Sequence, residues 1–185
     1  MIIAAAFAFA GAAVAGTAPY QPPVRDGAQV QQAKMPDFIV KLDAWIAGRP
    51  FSAVINDAAH TQVDKAEGAG RAQAMRLNHT AVGELAAWCN VRGVPLVHYS
   101  TDYVFDGSGD KPRREDDLTG PLNVYGESKL AGEQAIAASG AHHLIFRTSW
   151  VYDAYGKNFF NTILRLLHEK ETLDVVADQT GAPTY

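Results

Sequence analysis

Tyr125 and Lys129 stand four residues apart in PLNVYGESK, just after Pro121, at the start of a helical pattern running through Leu130, Ala131, Glu133 and Ile136. That spacing puts phenol and ammonium on one helix face. An unperturbed tyrosine has a pKa of about 10, so acid–base work near neutrality asks for a shift of roughly 3 units, or about 4 kcal/mol. A lysine charge about 4 Å away in a semi-polar site supplies energy of that order. The bland alternative is a solvated tyrosine beside a solvated lysine on a surface helix.

The residues upstream argue against that alternative. Leu96 to Tyr99 read as the end of a buried strand, and Ser100, Thr101 and Asp102 follow as two hydroxyls and a carboxylate at its carboxyl end. In open α/β sheets that edge is where ligands bind. The elements needed to hold such an edge are legible along the chain. Phe38 to Ala47 carry helical periodicity, ended by Gly48, Arg49 and Pro50, and Ser52 to Asn56 make a short buried strand. Val63 to Arg92 read as largely helical, with Leu77, Val82, Leu85, Ala86 and Cys89 on a core stripe, and Gly93 stops the run. Val94 to Tyr99 return as strand, and Asp106 to Gly120 form a polar loop. After the Tyr125 helix, ended by Gly140, His143 to Thr148 form the next strand and Asn158 to Glu169 a further helix. Leu173 to Ala177 are expected as a last strand. Strand, helix, strand alternation of this kind predicts a parallel sheet.

Taken together, VINDAAHTQVDKAE, VHYSTDYVFDG, PLNVYGESKLAGE, HLIFRTSWVY and DQTGAPT resemble the extended short-chain dehydrogenase/reductase family from about Val54 to Thr184. The resemblance implies a Rossmann-like, doubly wound parallel sheet, with the C-terminal substrate domain largely missing. Residues 1–50 would be a poorly matched start of the dinucleotide-binding domain, and residues 51–185 its catalytic remainder. It also implies a reductase of a dTDP-sugar's C4 keto group that uses NADPH or NADH. The single cysteine fits a reducing, cytoplasmic compartment, and the sequence leaves open whether the chain is a monomer or a homodimer. Tyr125 would donate the proton, Lys129 would lower the phenol's pKa and bind the nicotinamide ribose, and Thr101 would hydrogen-bond the carbonyl oxygen. Asp102 and Trp150 would hold the sugar, the alternative for Trp150 being a core or rim aromatic. Ala59, His60, Thr61 and Ser100 would line the cofactor. Asn78 would help hold the site, or be an ordinary polar helix residue.

Other readings stay open at this stage. An epimerase or dehydratase of nucleotide sugars would share the tyrosine and lysine, and a non-catalytic relative would keep the fold without turnover. The family places a Gly-rich turn after its first strand, whereas this chain has only Gly11 and Gly16 there, in an Ala8, Gly11, Val14 series. Asp57 stands where alanine is usual, either repelling cofactor phosphates or pointing to solvent. Asp37 and Phe38 resemble a pair used near the adenine, or are a helix N-terminal acid and a core aromatic. Thr17 to Gln32, with three prolines, read as loop where the family has its cofactor-selecting strand. The apolar run over residues 1–18 reads as a first strand, a secretory signal without basic residues, or an artefact at the start of a partial sequence.

Length and composition bound the rest. With 185 residues, 48% hydrophobic and 19% charged, the chain can bury one sizeable core. The net charge of −4 and the absence of a basic stripe argue against nucleic acid, and the Ala-rich start argues against a membrane span. The single cysteine, Cys89, beside Trp88, excludes an internal disulfide and reads as a core thiol. Histidine spacing and the Glu115, Asp116, Asp117 run lack metal-ligand patterns, so no metal is expected.

Overall fold

The computed structural model describes residues 2–5, 35–47, 51–156 and 158–185. The described residues fall into two compact units that divide between Arg147 and Thr148. The Ala8, Gly11, Val14 series and the Thr17 to Gln32 loop lie outside them, as do the side chains of Asp37 and Phe38.

In the first unit four strands lie in sequence order: β1 (Ile2–Ala5), β2 (Ala53–Asn56), β3 (Leu96–Thr101) and β4 (His143–Thr148). β1 and β2 pair in parallel from Ile2–Ala53 to Ala5–Asn56, and β2 and β3 from Val54–Leu96 to Asn56–His98. Parallel neighbours need crossover connections, and helices supply them. They are α1 (Met35–Ile46), α2 (Val63–Ala66), α3 (Arg71–Met75), α4 (Ala81–Arg92) and α5 (Val124–Ala138). Four of the five residues of the predicted core stripe are observed in it: Val82, Leu85, Ala86 and Cys89 are buried against Val54, Leu96, Ile46 and Ile136, whereas Leu77 is only half-buried and precedes α4. Trp88 stacks on Phe51 at 6.0 Å and donates its indole N–H to Asp43 at 2.8 Å. Cys89 is the expected core thiol, its pKa pushed up to about 11 by burial.

The long helix expected over Val63 to Arg92 is broken. Gly70 donates its N–H to Lys65 O at 3.0 Å, closing a turn between α2 and α3, and a Cβ at Gly70 would come within 2.5 Å of that oxygen. Arg76–Thr80 then widen into one π-helical turn before α4 begins. Such single turns concentrate at functional sites, and this one carries Asn78.

α5 is pressed against both site-bearing turns. A Cβ on Gly132 would lie 2.1 Å from Asn78 O, and one on Gly126 would lie 2.3 Å from Tyr103 O. Only glycine admits backbone that close. The helix start is fixed twice, by Asn123 Oδ1 accepting from Gly126 N–H at 2.7 Å and by Glu67 Oε1 accepting from Val124 N–H at 2.7 Å. Both satisfy orphan donors of the first turn.

In the second unit α6 (Phe159–Glu169) starts where predicted, with Asn158 Oδ1 accepting from Asn161 N–H at 2.8 Å. The strand expected over Leu173 to Ala177 does not form. Val175 and Val176 are exposed, and β propensity without a neighbouring strand to pair with leaves the backbone irregular. The pairing instead falls further on, where Val151 and Thr184 form a parallel bridge.

The close approach of α5 yields a stability prediction. Gly132→Ala forces backbone apart at a packed contact and should cost about 1–3 kcal/mol, read as a lower urea midpoint at unchanged slope. A midpoint equal to that of the parent would show that the contact tolerates a side chain.

Candidate active site

β3 brings His98 and Ser100 inward on the same side as Leu96, and all three are buried. Thr101, also buried, ends the strand. Its hydroxyl oxygen accepts from Tyr103 N–H at 3.2 Å, capping the single 3₁₀ turn Asp102–Val104, and it donates to Asp102 Oδ1 at 3.3 Å. Tyr125, in the first turn of α5, meets this turn edge-on: its ring lies 5.6 Å from that of Tyr103 at 79°. The Thr101 hydroxyl acts on the phenol. Burial raises its pKa above the ordinary 10.0, the Thr101 hydroxyl pulls the other way, and the Asp102 charge and Tyr103 add to the rise.

Lys129 is one turn further along and is 2% exposed. Its Nζ donates to Tyr99 O at 2.6 Å and lies 3.4 Å from His98 Nε2. Burial pushes its pKa down to about 8, against the pull of the Glu133 carboxylate. That carboxylate is itself held by Arg147, whose Nε and Nη2 donate to it at 3.1 and 2.7 Å. The expectation that Lys129 lowers the phenol's pKa differs from this geometry. The ammonium is turned toward the strand, and the phenol stays above its ordinary value because dehydration dominates.

At the end of β2, Asn78 clasps the chain at His60. Its Oδ1 accepts from His60 N–H at 2.7 Å, and its Nδ2 donates to His60 O at 3.0 Å and to Ser128 Oγ at 2.9 Å. Ser128 in turn donates to Tyr125 O at 2.7 Å. Asn78 is therefore no ordinary surface residue: wholly buried, it ties the β2 loop to the tyrosine helix. His60 Nδ1 is buried without a hydrogen-bond partner. Ala59 is half-buried, whereas Thr61 is exposed, as is Asp57, which points to solvent.

Trp150 belongs to the second unit. It is 50% exposed and has φ 48°, a left-handed conformation that costs a non-glycine residue about 1 kcal/mol or more. The indole lies over Gly181, where a Cβ would come 2.5 Å from Nε1. Hydrogen bonds to the Gly-Ala-Pro-Thr segment hold it there: Tyr152 N–H donates to Thr184 O at 2.9 Å, and the Ser149 hydroxyl to Ala182 O at 2.7 Å. Among the described residues no group of three or more His, Cys, Asp or Glu could hold a metal ion.

Sequence reasoning missed His98, Asn56 and Ser128. His98 was detectable, because the alternation that buries Leu96 and Ser100 also buries the residue between them. Ser128 and Asn56 carried no such signal.

A parallel sheet with helical crossovers, presenting hydroxyl, phenol and lysine together at the carboxyl edge of a central strand, defines a Rossmann-like α/β domain. Residues 24–185 match the model of the family described as RmlD substrate binding domain, and the chain belongs to that family. It is 56% identical over 131 residues to a dTDP-4-dehydrorhamnose reductase of Salmonella typhimurium, covering 71% of this chain and 44% of that protein. A dTDP-4-keto-6-deoxy-D-glucose reductase of Streptomyces niveus is 44% identical over 135 residues, covering 72% of this chain and 46% of that protein. Among solved structures, the Bacillus anthracis dTDP-4-dehydrorhamnose reductase in complex with NADP superposes with a TM-score of 0.74 at 39% identity. That match covers 80% of this chain and 52% of the other. The chain thus spans about half the length of the relatives it matches.

The dehydrated lysine makes stability depend on pH. Its pKa is about 8 folded against 10.5 for a free side chain, so between those values the unfolded chain binds more protons and stability rises with pH. The gap of about 2.5 units corresponds to about 3 kcal/mol. Urea titrations at pH 7, 8.5 and 10 should show the parent gaining on Lys129→Met by an amount of that order. Parallel curves for the two proteins would contradict the burial.

Proposed function

We propose that this chain carries the proton-transfer half of an NAD(P)H-dependent reductase that converts the C4 keto group of dTDP-4-dehydrorhamnose to the alcohol of dTDP-L-rhamnose. The observation that carries the reading is the partly buried Tyr125 at the start of α5, brought beside the Thr101 hydroxyl at the strand edge, where burial raises the phenol's pKa. It is supported by the names of relatives that share half or more of the aligned residues.

A reductase needs a proton donor that keeps its proton until charge develops on the carbonyl oxygen. Burial does this for Tyr125, since a phenol above its ordinary pKa stays protonated at neutral pH. Thr101, its hydroxyl already oriented by the capped turn, would hydrogen-bond the same oxygen as it becomes an alkoxide. Asp102, the next residue, would hold a sugar hydroxyl, and Trp150 would offer its half-exposed indole to the nucleotide sugar. A nicotinamide cofactor, NADPH or NADH, would supply hydride to C4.

The residues present fit such a cofactor in two respects. His60 Nδ1 is a buried polar atom awaiting a partner, and Lys129 Nζ has a hydrogen-bonding position left after Tyr99 O and His98. Ala59, Thr61, Ser100 and Asn78 would complete that wall, Asn78 by holding the loop rather than by touching the ligand. The same reading takes residues 51–185 as the catalytic remainder of an NAD(P)-binding domain. It includes a cytoplasmic, homodimeric enzyme that uses neither nucleic acid nor membrane. No helix among the described residues is long and apolar enough to cross a membrane.

Incubation of the intact protein with dTDP-4-dehydrorhamnose and NADPH, followed by NADPH absorbance, tests the reading. Tyr125→Phe should reduce turnover by about a hundredfold or more while cofactor binding persists. Retention of more than about a tenth of the parent rate would sink the assignment. Thr101→Val should lower kcat more than it raises KM, as expected for a bond that strengthens in the transition state. A change in KM alone would make Thr101 a binding residue.

A further inference from the structure

Tyr125 stands between two attachments of α5 to the segment running from His60 to Asn78, and the reductase reading uses only one of them. On its C-terminal side Ser128 Oγ accepts from the Asn78 amide at 2.9 Å and donates to Tyr125 O at 2.7 Å. On its N-terminal side Glu67 Oε1 accepts from the N–H of Val124, the residue before the tyrosine, at 2.7 Å. Val124 begins α5, so its N–H has no acceptor within the helix. Asn123 Oδ1 serves Gly126 N–H instead. A carboxylate suits the open position, because bonds from N–H to an ionised acceptor are the stronger kind and a helix N-terminus favours negative charge.

α2 joins Glu67 to the other wall of the site. Gln62, next to Thr61, is the N-cap of α2 and its carbonyl accepts from Ala66 N–H at 3.1 Å, while Glu67 is the C-cap one turn later. The Gly70 N–H to Lys65 O bond locks the turn behind it. Ala66, Ala74 and Val124 then form a small buried cluster with Tyr125 packed against it, so the α2–α3 turn sits directly on the first turn of α5. The ion pair of Arg71 with Glu127 beside this contact is exposed on both sides and adds little. Glu67 is exposed too, so it fills no core position, and what it offers α5 is the hydrogen bond. The groups that act on the phenol's ionisation are Thr101, Asp102 and Tyr103, which leaves Glu67 to act on its place.

We propose that Glu67 is a positioning residue for Tyr125: by holding Val124 N–H from the end of α2, it keeps the phenol in register with the His60 loop, so that proton donor and cofactor wall belong to one frame. This role rests on the reading of Tyr125 as proton donor and of the His60 loop as cofactor wall, whereas the hydrogen bond does not. Helix ends fray when their orphan donors lose their partners, and Tyr125 lies in the turn that would fray.

Two substitutions in the intact protein separate place from charge. Glu67→Ala removes the acceptor, whereas Glu67→Gln keeps an oxygen there and removes only the charge. Place is read without turnover, by amide hydrogen exchange at Val124 and by the nuclear Overhauser contact between the rings of Tyr125 and Tyr103, whose centroids lie 5.6 Å apart. In Glu67→Ala exchange at Val124 should quicken about tenfold or more and the ring contact should fall to about half or less. Glu67→Gln should keep both within about twofold of the parent. With dTDP-4-dehydrorhamnose and NADPH, kcat should fall about tenfold in Glu67→Ala at an unchanged KM for NADPH, since Asn78 still holds His60, and Glu67→Gln should restore most of it. An undiminished ring contact in Glu67→Ala would overturn the proposal. So would an equal loss in Glu67→Gln, which would make charge the agent, or a rise in KM for NADPH with kcat kept, which would make Glu67 part of the cofactor wall. If Tyr125→Phe keeps its turnover, the reductase reading fails, and exchange and the ring contact still decide whether Glu67 holds the tyrosine.

Discussion

The dehydration of Lys129 is the constraint on which the rest of the site depends. An ammonium that is 2% exposed is costly unless its protons find acceptors or its proton leaves. Both solutions are visible: Tyr99 O accepts from it, and burial brings its pKa within reach of neutrality. The lysine can be buried there only because α5 packs unusually close to its neighbours, with Gly126 and Gly132 against the carbonyls of Tyr103 and Asn78. The same close packing dehydrates the Tyr125 phenol and sets Ser128 within reach of Asn78. Close helix packing, lysine burial and a retained phenol proton are thus one feature seen at three levels.

Much of this was legible in the sequence. The alternation of strands and helices, the α4 core stripe and the start of α6 at Asn158 follow from periodicity and capping, which are local. Tyr125 and Thr101 are brought together as their positions at a helix start and a strand end suggested. What was not legible depends on contacts distant in sequence. The break at Gly70 needs Lys65 O above it, and the missing strand at Leu173 to Ala177 reflects the lack of a pairing partner rather than a lack of propensity. The direction of the phenol shift was also illegible. Four-residue spacing places Lys129 on the same helix face as Tyr125 but says nothing about Tyr99 O and His98, which draw the ammonium toward the strand.

Asn78 shows how a residue with an uninformative neighbourhood can hold a site together. On a helix wheel it is one polar residue among others, yet all its side-chain hydrogen bonds go to the His60 backbone and Ser128. Replacing it would leave buried donors and acceptors without partners on two segments at once, each costing about 1–3 kcal/mol. The Trp150 seat in the second unit is built on the same logic, with a strained backbone held by the segment ending at Thr184.

The central claim is that Tyr125 enters the reaction as a phenol held protonated by burial. Its ionisation can be followed by the ring-carbon resonance of labelled tyrosine, assigned by its loss in Tyr125→Phe. A resonance that stays in the phenol position past pH 10 is the predicted result. A midpoint near neutrality would mean that Tyr125 is already ionised in the resting site, which would contradict it.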